Sequence, residues 1–318
     1  MLSELAVQLR RSLSLLQKQD IQTASQALLP DWTEAKVRLG DDCAAIPEQD
    51  SYLLFAAEGM LPKFVEAEPW FAGWSAVMVN VSDIYAMGGT PIAVVDTLWS
   101  QSGHNVELIW QGMKAASVAY DVPIVGGHTN CHSSYLALSV AILGRAKQLI
   151  TSFDAQPGDI LLVATDFRGE PHPNYPFWDA ATKAAPAQLR SNLSILPRLA
   201  ETGLCNVGKD ISNGGIVGTL LMLLETSSCG AVLDLNRVPC PDRLTLDRWL
   251  VSFPSYGFLL SVRPENAAIV KAHFRQQDLI CEAVGHIQPG SKLMLRSYEE
   301  SIEVWDLAQQ KLTGFAKR

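Results

Sequence analysis

The sequence predicts an α/β protein of two domains, and three observations support this prediction. The first half of the chain alternates apolar β-type segments with helical patterns. The second half does the same after SFDAQPGD (152–159), a break rich in turn residues. With 318 residues, 48% of them hydrophobic, the chain is long enough for two cores at about 100–200 residues per domain. We therefore expect an N-terminal domain over residues 1–150 and a C-terminal α/β domain over residues 151–318.

The N-terminal half opens with apolar residues at helical spacing. This spacing predicts an amphipathic helix or helix pair over residues 1–30, which Pro30 ends before the charged turn at GDDC. Apolar runs between glycine, proline or polar clusters predict strands at 52–59, 92–99, 123–127 and 135–144. Helical patterns lie between them at 67–88 and 105–120.

The C-terminal half repeats the alternation of strands and helices. Strands are predicted at 160–165, 231–235, 257–262 and 283–287. Helices are predicted at 179–200, at 213–228 and from Pro264 to about Arg275. The segment RGEPHPNYPF (168–177) is rich in proline, so we expect a long loop that is a candidate lid or substrate contact.

Composition excludes several classes of protein. The formal net charge is −8, and the 25 basic residues form no cluster of the kind that binds nucleic acid or a membrane surface. The six cysteines are scattered without a Cys-x-x-Cys pair, which indicates neither a zinc cage nor a disulfide framework. No secretion signal and no apolar run of about 18 residues is found. We expect a soluble protein of the reducing cytoplasm.

The helix predicted at 67–88 carries polar residues near its end, in VNVSDIYAMGGTP (79–91). A helical projection places Trp74, Val77, Val81 and Ile84 on one stripe, which should face the core. Asn80 and Asp83 fall on another face, where the pair could reach a ligand. The alternative is that Asp83 faces solvent or bonds a neighbouring turn.

Four further clusters join glycine to a carboxylate or a polar donor. They are LGDDCAAI (39–46), AAEGM (56–60), VGGHTN (125–130) and GKDISNGG (208–215). Carboxylates and amides beside glycines at strand ends favour a hard-cation site where backbone can approach phosphate oxygens. Because the ligands are oxygen-rich, we expect Mg²⁺, and ATP as its partner. Ser212 has an alternative role as the N-cap of the helix that follows.

Other nucleotide and hydrolase motifs are absent or incomplete. GLCNVGKD (203–210) approaches the phosphate-loop pattern, but Asp210 replaces the hydroxyl that would bind Mg²⁺. No G-x-G-x-x-G follows a strand, and no G-x-S-x-G occurs. His128 and His132 are four residues apart, but no accompanying glutamate supports a zinc protease.

The order of GDDCAAI, VNVSDIYAMGGTP, VGGHTN, PGD, KDISNGG and AVGHI resembles the ATP-binding superfamily of aminoimidazole ribonucleotide synthetase over about residues 35–290. The superfamily includes thiamine-monophosphate kinase, selenophosphate synthetase, formylglycinamidine ribonucleotide synthase and a hydrogenase-maturation dehydratase. The resemblance implies a homodimer whose N-terminal domains contribute strands to a shared barrel. It also implies a C-terminal α/β domain, and ATP and several Mg²⁺ ions bound between the domains.

The resemblance also assigns site residues. Asp42, Asp83 and Asp210 match catalytic, metal-binding aspartates, and Glu58 stands where the kinase has another metal ligand. The residues expected to contact the nucleotide are Asn80, Gly88, Gly89, Gly126, Gly127, His128, Lys209, Ser212 and Asn213.

Thiamine-monophosphate kinase is the nearest member by motif, which implies γ-phosphoryl transfer from ATP to a small, phosphorylated acceptor. Three departures leave the acceptor open: Glu58 follows Ala57 instead of threonine, and His128 and Asn213 replace aspartates. These changes leave less negative charge in the site. The alternatives are a divergent synthetase-like or selenophosphate synthetase-like enzyme, and a nucleotide-binding module without catalysis.

Overall fold

The computed structural model describes residues 2–28, 37–101 and 103–316, except for the side chains of 103–105. Pro30, the predicted end of the N-terminal helices, lies outside these residues. The chain forms two units that are each discontinuous in sequence. Unit 1 consists of Met1–Asp41, Ile150–Ala180 and Leu199–Arg318, and unit 2 consists of Asp42–Leu149 and Ala181–Arg198. The sequence-based division after residue 150 lies next to one of the unit boundaries.

Unit 2 is a mixed α/β unit. Its strands are β1 (Ala44–Glu48), β2 (Ser51–Gly59), β3 (Thr90–Trp99), β4 (Ile124–Asn130) and β5 (Ala137–Ala146). Its helices are α4 (Pro62–Ala67), α5 (Pro69–Ala86), α6 (Gly103–Tyr120) and α7 (Pro186–Leu193). The sheet has the order β1-β2-β5-β3-β4. β3 and β4 are parallel because α6 connects them as a crossover, and the other pairs are antiparallel.

Helices α5 and α6 pack closely on one another through glycines. A side chain at Gly112 would collide with the Trp70 carbonyl, and one at Gly73 would collide with the Ile109 carbonyl. Every residue from Ala72 to Ala86 is buried, so all faces of α5 are covered and not only the predicted stripe. A helix covered on all sides reads as apolar around its whole circumference. Asn80 and Asp83 are therefore polar groups inside the protein.

Unit 1 begins with short helices at the N-terminus. They are α1 (Leu2–Arg10), α2 (Leu13–Gln17), a 3₁₀ turn (Lys18–Asp20) and α3 (Ile21–Leu28). The later helices are α8 (Ile195–Glu201), which begins in unit 2, α9 (Gly215–Ser227), α10 (Leu246–Trp249) and α11 (Pro264–Arg275). The helix predicted at 179–200 is instead the end of a strand, a turn, α7 and α8, because Pro186 starts a new helix.

The strands of unit 1 form a large and a small sheet. They are β6 (Ile160–Thr165), β7 (Glu170–Pro171), β8 (Phe177–Asp179), β9 (Val207–Asp210), β10 (Gly230–Asp234), β11 (Phe253–Pro254), β12 (Gly257–Val262), β13 (Ile280–Gln288), β14 (Lys292–Ser297) and β15 (Glu300–Asp306). The seven-stranded sheet has the order β15-β14-β10-β13-β6-β12-β9, and the three-stranded sheet has the order β11-β8-β7. The segment predicted as a long loop at 168–177 thus contains β7 and the start of β8.

The core of unit 1 lies between this sheet and its helices. It is built from aliphatic side chains of β6, β10, α1 and α9, together with Trp178 and Trp249. Both units are mixed α/β, which confirms the predicted fold class. In the part of the chain that the structure describes, no helix combines the length and the apolar character needed to cross a bilayer.

Candidate functional site

A buried ion pair fixes the loop that contains the first predicted aspartates. The Asp41 carboxylate accepts a hydrogen bond from the Ser152 N–H at 2.8 Å, and its Oδ1 lies 3.4 Å from the Lys209 Nζ. The Asp41 and Lys209 side chains are 1% and 3% exposed. Two charges held away from water require such pairing. Lys209, one of the expected nucleotide contacts, is thus a buried partner of Asp41.

The last turn of α9 holds the Ser152 segment in place. The Ser152 carbonyl accepts hydrogen bonds of 2.7 Å from the hydroxyls of Thr226 and Ser227. The same hydroxyl of Ser227 accepts a hydrogen bond from the Ala155 N–H. Both backbone groups of Ser152 are therefore hydrogen-bonded: its N–H to Asp41 and its carbonyl to the end of α9.

The carboxylate of Glu225, also in the last turn of α9, anchors the C-terminal segment. It accepts hydrogen bonds from the N–H groups of Leu312, Thr313 and Gly314 and from the Thr313 hydroxyl. The next residue, Phe315, lies against Gly40, where an added Cβ would be 2.5 Å from the Phe315 Cβ. The C-terminal segment therefore packs against the residue before Asp41.

The predicted cluster at 208–215 forms the end of β9 and the start of α9. Asp210 is the buried last residue of β9, and its carbonyl accepts a hydrogen bond from Thr219. The N-cap of α9 is Gly214, with φ +99°, and not Ser212. Gly215 also has a positive φ, and its position leaves no room for a side chain against the Val251 backbone. Two left-handed glycines therefore turn the chain into the helix.

The Ser212 hydroxyl lies 3.4 Å from the Lys18 Nζ, which brings a second ammonium group to this turn. Asn213 is half-buried beside it. The N-terminal end of a 13-residue helix and a nearby lysine both favour an anion.

In unit 2, α5 presents its polar residues inside the protein. Asn80 is fully buried and its Nδ2 donates to the Ala76 carbonyl at 2.8 Å. Among the residues that the structure describes, no donor reaches its Oδ1. Asp83 is 7% exposed and lies one turn further along. An amide oxygen and a carboxylate thus lie within one turn of each other on α5.

The two glycines after α5 complete its C-terminal cap. The N–H of Gly88 donates to the Tyr85 carbonyl, and the N–H of Gly89 donates to the Ile84 carbonyl. Gly88 has φ +74°, and a side chain at Gly89 would collide with Leu54. These amides are therefore used within the turn.

The remaining predicted residues lie near the end of β2 and in the middle of β4. Glu58 is exposed near the end of β2, and its carbonyl accepts a hydrogen bond from Ser139. Gly126, Gly127 and His128 are exposed on β4, and the His128 ring centre lies 6.5 Å from that of Trp99. Because β2, β3 and β4 run in the same direction, their carboxyl ends share one edge of the sheet.

A further acidic residue was missed by the sequence reasoning. Asp96 lies in the middle of β3 and is 3% exposed. Burial raises the pKa of its carboxyl group above the ordinary value. A lone aspartate within the apolar run IAVVDTLW was the available signal.

Thiol chemistry is not favoured at three of the cysteines. Burial raises the pKa of Cys205, Cys229 and Cys281 to about 12 in each case. The reactive thiolate form is therefore scarce at neutral pH. This agrees with the absence of a cysteine motif in the sequence.

The chain is similar to two family models. "AIR synthase related protein, N-terminal domain" matches residues 40–146, and "AIR synthase related protein, C-terminal domain" matches residues 124–296. These matches confirm the resemblance found in the order of the motifs.

Curated relatives include proteins with and without a named activity. "Uncharacterized protein sll0787" of Synechocystis sp. is 59% identical over 99% of this chain and 99% of its own length. "Uncharacterized protein MJ0640" of Methanocaldococcus jannaschii is 34% identical over 77% of this chain and 76% of its own length. The thiamine-monophosphate kinase of Pyrococcus abyssi is 26% identical over 87% of this chain and 91% of its own length.

Solved structures share the fold. Thermotoga maritima PurL complexed with ADP has a TM-score of 0.75 and 19% identity, over 96% of this chain and 53% of PurL. This chain therefore spans about half of the PurL chain. The structure described as "AaThiL complexed with AMPPCP and TMP" has a TM-score of 0.67 and 19% identity, over 89% of this chain and 97% of ThiL.

Proposed function

Because the chain belongs to the AIR synthase related protein family, we propose that it is a Mg²⁺-dependent enzyme that transfers the γ-phosphoryl group of ATP to a small-molecule acceptor. Thiamine-monophosphate kinases are among its relatives, and a PurL of the same fold has been solved with ATP. A phosphorylated acceptor is the class that we favour.

We propose that Asp42, Asp83 and Asp210 hold the metal. These three residues form an acidic group that could bind an ion. Carboxylate oxygens are the ligands that Mg²⁺ prefers, so the chemistry of this donor set fits the ion. Glu58 is a fourth candidate ligand. When bound, Mg²⁺ would neutralise the charge of the phosphate oxygens that it contacts.

The observation that carries the proposal is the buried ion pair of Asp41 and Lys209. Asp42 follows Asp41 in the chain, and Asp210 follows Lys209. The ion pair therefore links the two chain segments that carry these candidate ligands. The paired residues are separated by 168 positions in sequence. A buried contact between such distant segments supports a shared role for the aspartates that follow them.

We propose that the turn before α9 binds the triphosphate. The helix N-terminus offers backbone N–H groups, and Ser212 and Asn213 add side-chain donors. Lys18 adds positive charge near Ser212. Asn80, Gly126, Gly127 and His128 are the proposed contacts from unit 2. Gly88 and Gly89 support them by ending α5. Lys209 acts by holding Asp41.

Catalysis then consists of positioning. The side chains would align the γ-phosphorus with an acceptor oxygen, and no covalent intermediate on the protein is required. Displacement by the acceptor oxygen would form the new P–O bond as the bond to ADP breaks. Dry surroundings at Asp83 and Asp210, which are both buried, would strengthen the electrostatic interactions.

The second candidate function is a nucleotide-binding module without catalysis. The observation that favours it is the presence of His128 and Asn213 where the kinase pattern has carboxylates. A smaller negative charge would hold fewer metal ions.

Both candidate functions require ATP binding, which calorimetry with and without Mg²⁺ tests. Measuring the release of ADP in the presence of each of a panel of phosphorylated acceptors separates the enzyme from the module. Acceptor-dependent turnover is expected. Binding without turnover across the panel would favour the module, and no binding of ATP would contradict both candidates.

We propose a homodimer as the assembly. One face of the unit 2 sheet exposes large apolar side chains: Ile46, Phe55, Val95 and Leu143 are each 36–51% exposed. Phe55 pairs with Leu143 across β2 and β5, and Ile46 lies beside the same strand. An exposed apolar face of this kind is typical of a surface that a second copy covers.

A further inference from the structure

Asp96 is a buried charge that the proposed reaction does not use. It lies on the same side of β3 as the buried residues Val94 and Leu98. Within the described part of the chain, neither of its carboxylate oxygens has a hydrogen-bond partner. A folded protein rarely keeps a buried polar group unsatisfied, and an unpaired carboxylate is among the most costly. A ligand that donates hydrogen bonds to this carboxylate would therefore stabilise it.

The neighbouring strand makes room for the Asp96 side chain. Gly127 lies directly opposite Asp96 in the parallel pairing of β3 and β4. A side chain at Gly127 would collide with the Asp96 carboxylate. The glycine thus lets the carboxylate lie over the backbone of β4, at the outer strand of the sheet.

The carboxylate borders a cavity of about 780 Å³ in unit 2 that is open to solvent. The walls are Asp96 of β3, residues along β4 from Ile124 to Thr129, and the side of α6. Trp110 supplies an aromatic surface, and Thr129 supplies a hydroxyl. The charged groups in the lining are Asp96, Glu107 and Lys114, which leave an excess of one negative charge. A volume of this size suits a small organic molecule.

We propose that this cavity binds a small organic cation through an ammonium or guanidinium group that pairs with Asp96. The N–H groups of such a cation would satisfy both carboxylate oxygens, and a guanidinium would do so with two parallel hydrogen bonds. The ring face of Trp110 would attract the cation. The Glu107 carboxylate would also attract the cation, and the Lys114 ammonium would repel it.

An anion is disfavoured because it would meet two carboxylates. A metal ion is disfavoured because the acidic group that could hold one, among the residues that the structure describes, consists of other aspartates. An organic cation is the remaining class of ligand. One positive group is sufficient, because Asp96 is a single buried charge.

The cavity shares Gly126 and Gly127 with the proposed nucleotide contacts. The test therefore uses the whole protein at neutral pH without ATP or Mg²⁺, so that cation binding is measured apart from phosphoryl transfer. Methylguanidinium and putrescine are the probes, and N-methylurea is the uncharged match of the first. Binding is followed by calorimetry and by the tryptophan fluorescence of the protein. We expect saturable binding of at least one cation, with N-methylurea weaker by about tenfold or more.

Asp96→Asn should lower the affinity for that cation by about tenfold or more, because it removes the counter-charge and keeps the shape. Lys114→Gln should raise the affinity, because it removes the opposing charge. Lys63→Gln, a change at an exposed site in α4, is the matched control and should leave the affinity unchanged. A wild type that binds neither cation, or an Asp96→Asn variant that binds as the wild type does, would overturn the proposal.

Discussion

The Lys209 ammonium and the Asp41 carboxylate form an ion pair of 3.4 Å in which both side chains are almost completely buried. Lys209→Met should lower the free energy of unfolding by about 3–5 kcal/mol, because it leaves a buried carboxylate without its counter-charge. Urea denaturation followed by circular dichroism measures this change. The double variant Asp41→Asn with Lys209→Met should recover part of the loss, because no charge then remains buried. A double variant as unstable as the sum of the single changes would contradict this explanation.

The Asp83 carboxylate is predicted to act on the metal and not on the fold. Asp83→Asn keeps the size of the side chain, so we expect little loss of stability but a fall of about tenfold or more in Mg²⁺-dependent ATP affinity. Calorimetry with and without Mg²⁺ provides both values. Asp50→Asn, an exposed change in the turn between β1 and β2, is the control and should bind ATP as the wild type does. An unchanged affinity in Asp83→Asn would show that the residue is only structural.

Glu225 is predicted to hold the C-terminal segment against the Gly40 loop. Glu225→Gln replaces a carboxylate acceptor that receives four hydrogen bonds, and it should lower the free energy of unfolding by about 2 kcal/mol. Release of this segment should expose the peptide bond after Lys311 to trypsin. Mass spectrometry of limited digests checks this, with the exposed change Glu299→Gln as the control. Equal cleavage rates in the two variants would count against the anchoring role.

The raised pKa of Asp96 predicts how stability depends on pH. A carboxyl group whose pKa is higher in the folded than in the unfolded protein favours folding below the unfolded pKa. It loses this contribution as the pH rises through the folded pKa. Asp96→Asn should therefore stabilise the protein by about 1–3 kcal/mol at neutral pH, where the wild type holds an unsatisfied carboxylate.

The stabilising effect of Asp96→Asn should shrink as the pH falls, because the wild-type carboxyl group then becomes neutral. Urea denaturation of both proteins between acidic and neutral pH measures the difference. A difference that is independent of pH, or that grows towards acid, would contradict the assignment to Asp96.

The bounds of α5 could be predicted from sequence because the signals are local. Pro69 starts the helix, and the glycines after Met87 end it, close to the predicted range of 67–88. Its orientation could not be predicted, because the layers that cover it come from distant parts of the chain. The projection that placed Asn80 and Asp83 on a separate face therefore gave no information about their burial.

The strands near the C-terminus were not predicted. β14 and β15 form an antiparallel pair at residues 292–306, where the sequence alternates charged and apolar residues over short runs. β9 was also missed, because its four residues VGKD lie inside the segment that imitates a phosphate loop. Pairing with β12, which is far away in sequence, makes β9 a strand.

Within the candidate site, the contacts could not be predicted from sequence. The motif order predicts Asp42, Asp83 and Asp210 as metal ligands, but it does not reveal that Lys209 pairs with Asp41 or that Glu225 supports the loop before Asp41. Asp96 was missed because an isolated polar residue in a strand normally faces solvent. Its burial depends on Gly127 of the next strand and on α6, which only the folded chain reveals.

The exposed apolar face of the unit 2 sheet predicts the behaviour of the protein in solution. Phe55 is 51% exposed at the centre of this face, so Phe55→Glu should weaken a dimer formed there by about 100-fold, because a charge would be buried against apolar side chains. Light scattering across a concentration series measures the dimer dissociation constant. Tyr298→Glu changes an even more exposed aromatic residue in unit 1 and is the matched control, with an expected dissociation constant equal to that of the wild type. A wild type that stays monomeric at high concentration, or a Phe55→Glu variant that dimerises normally, would rule out this face as the contact between copies.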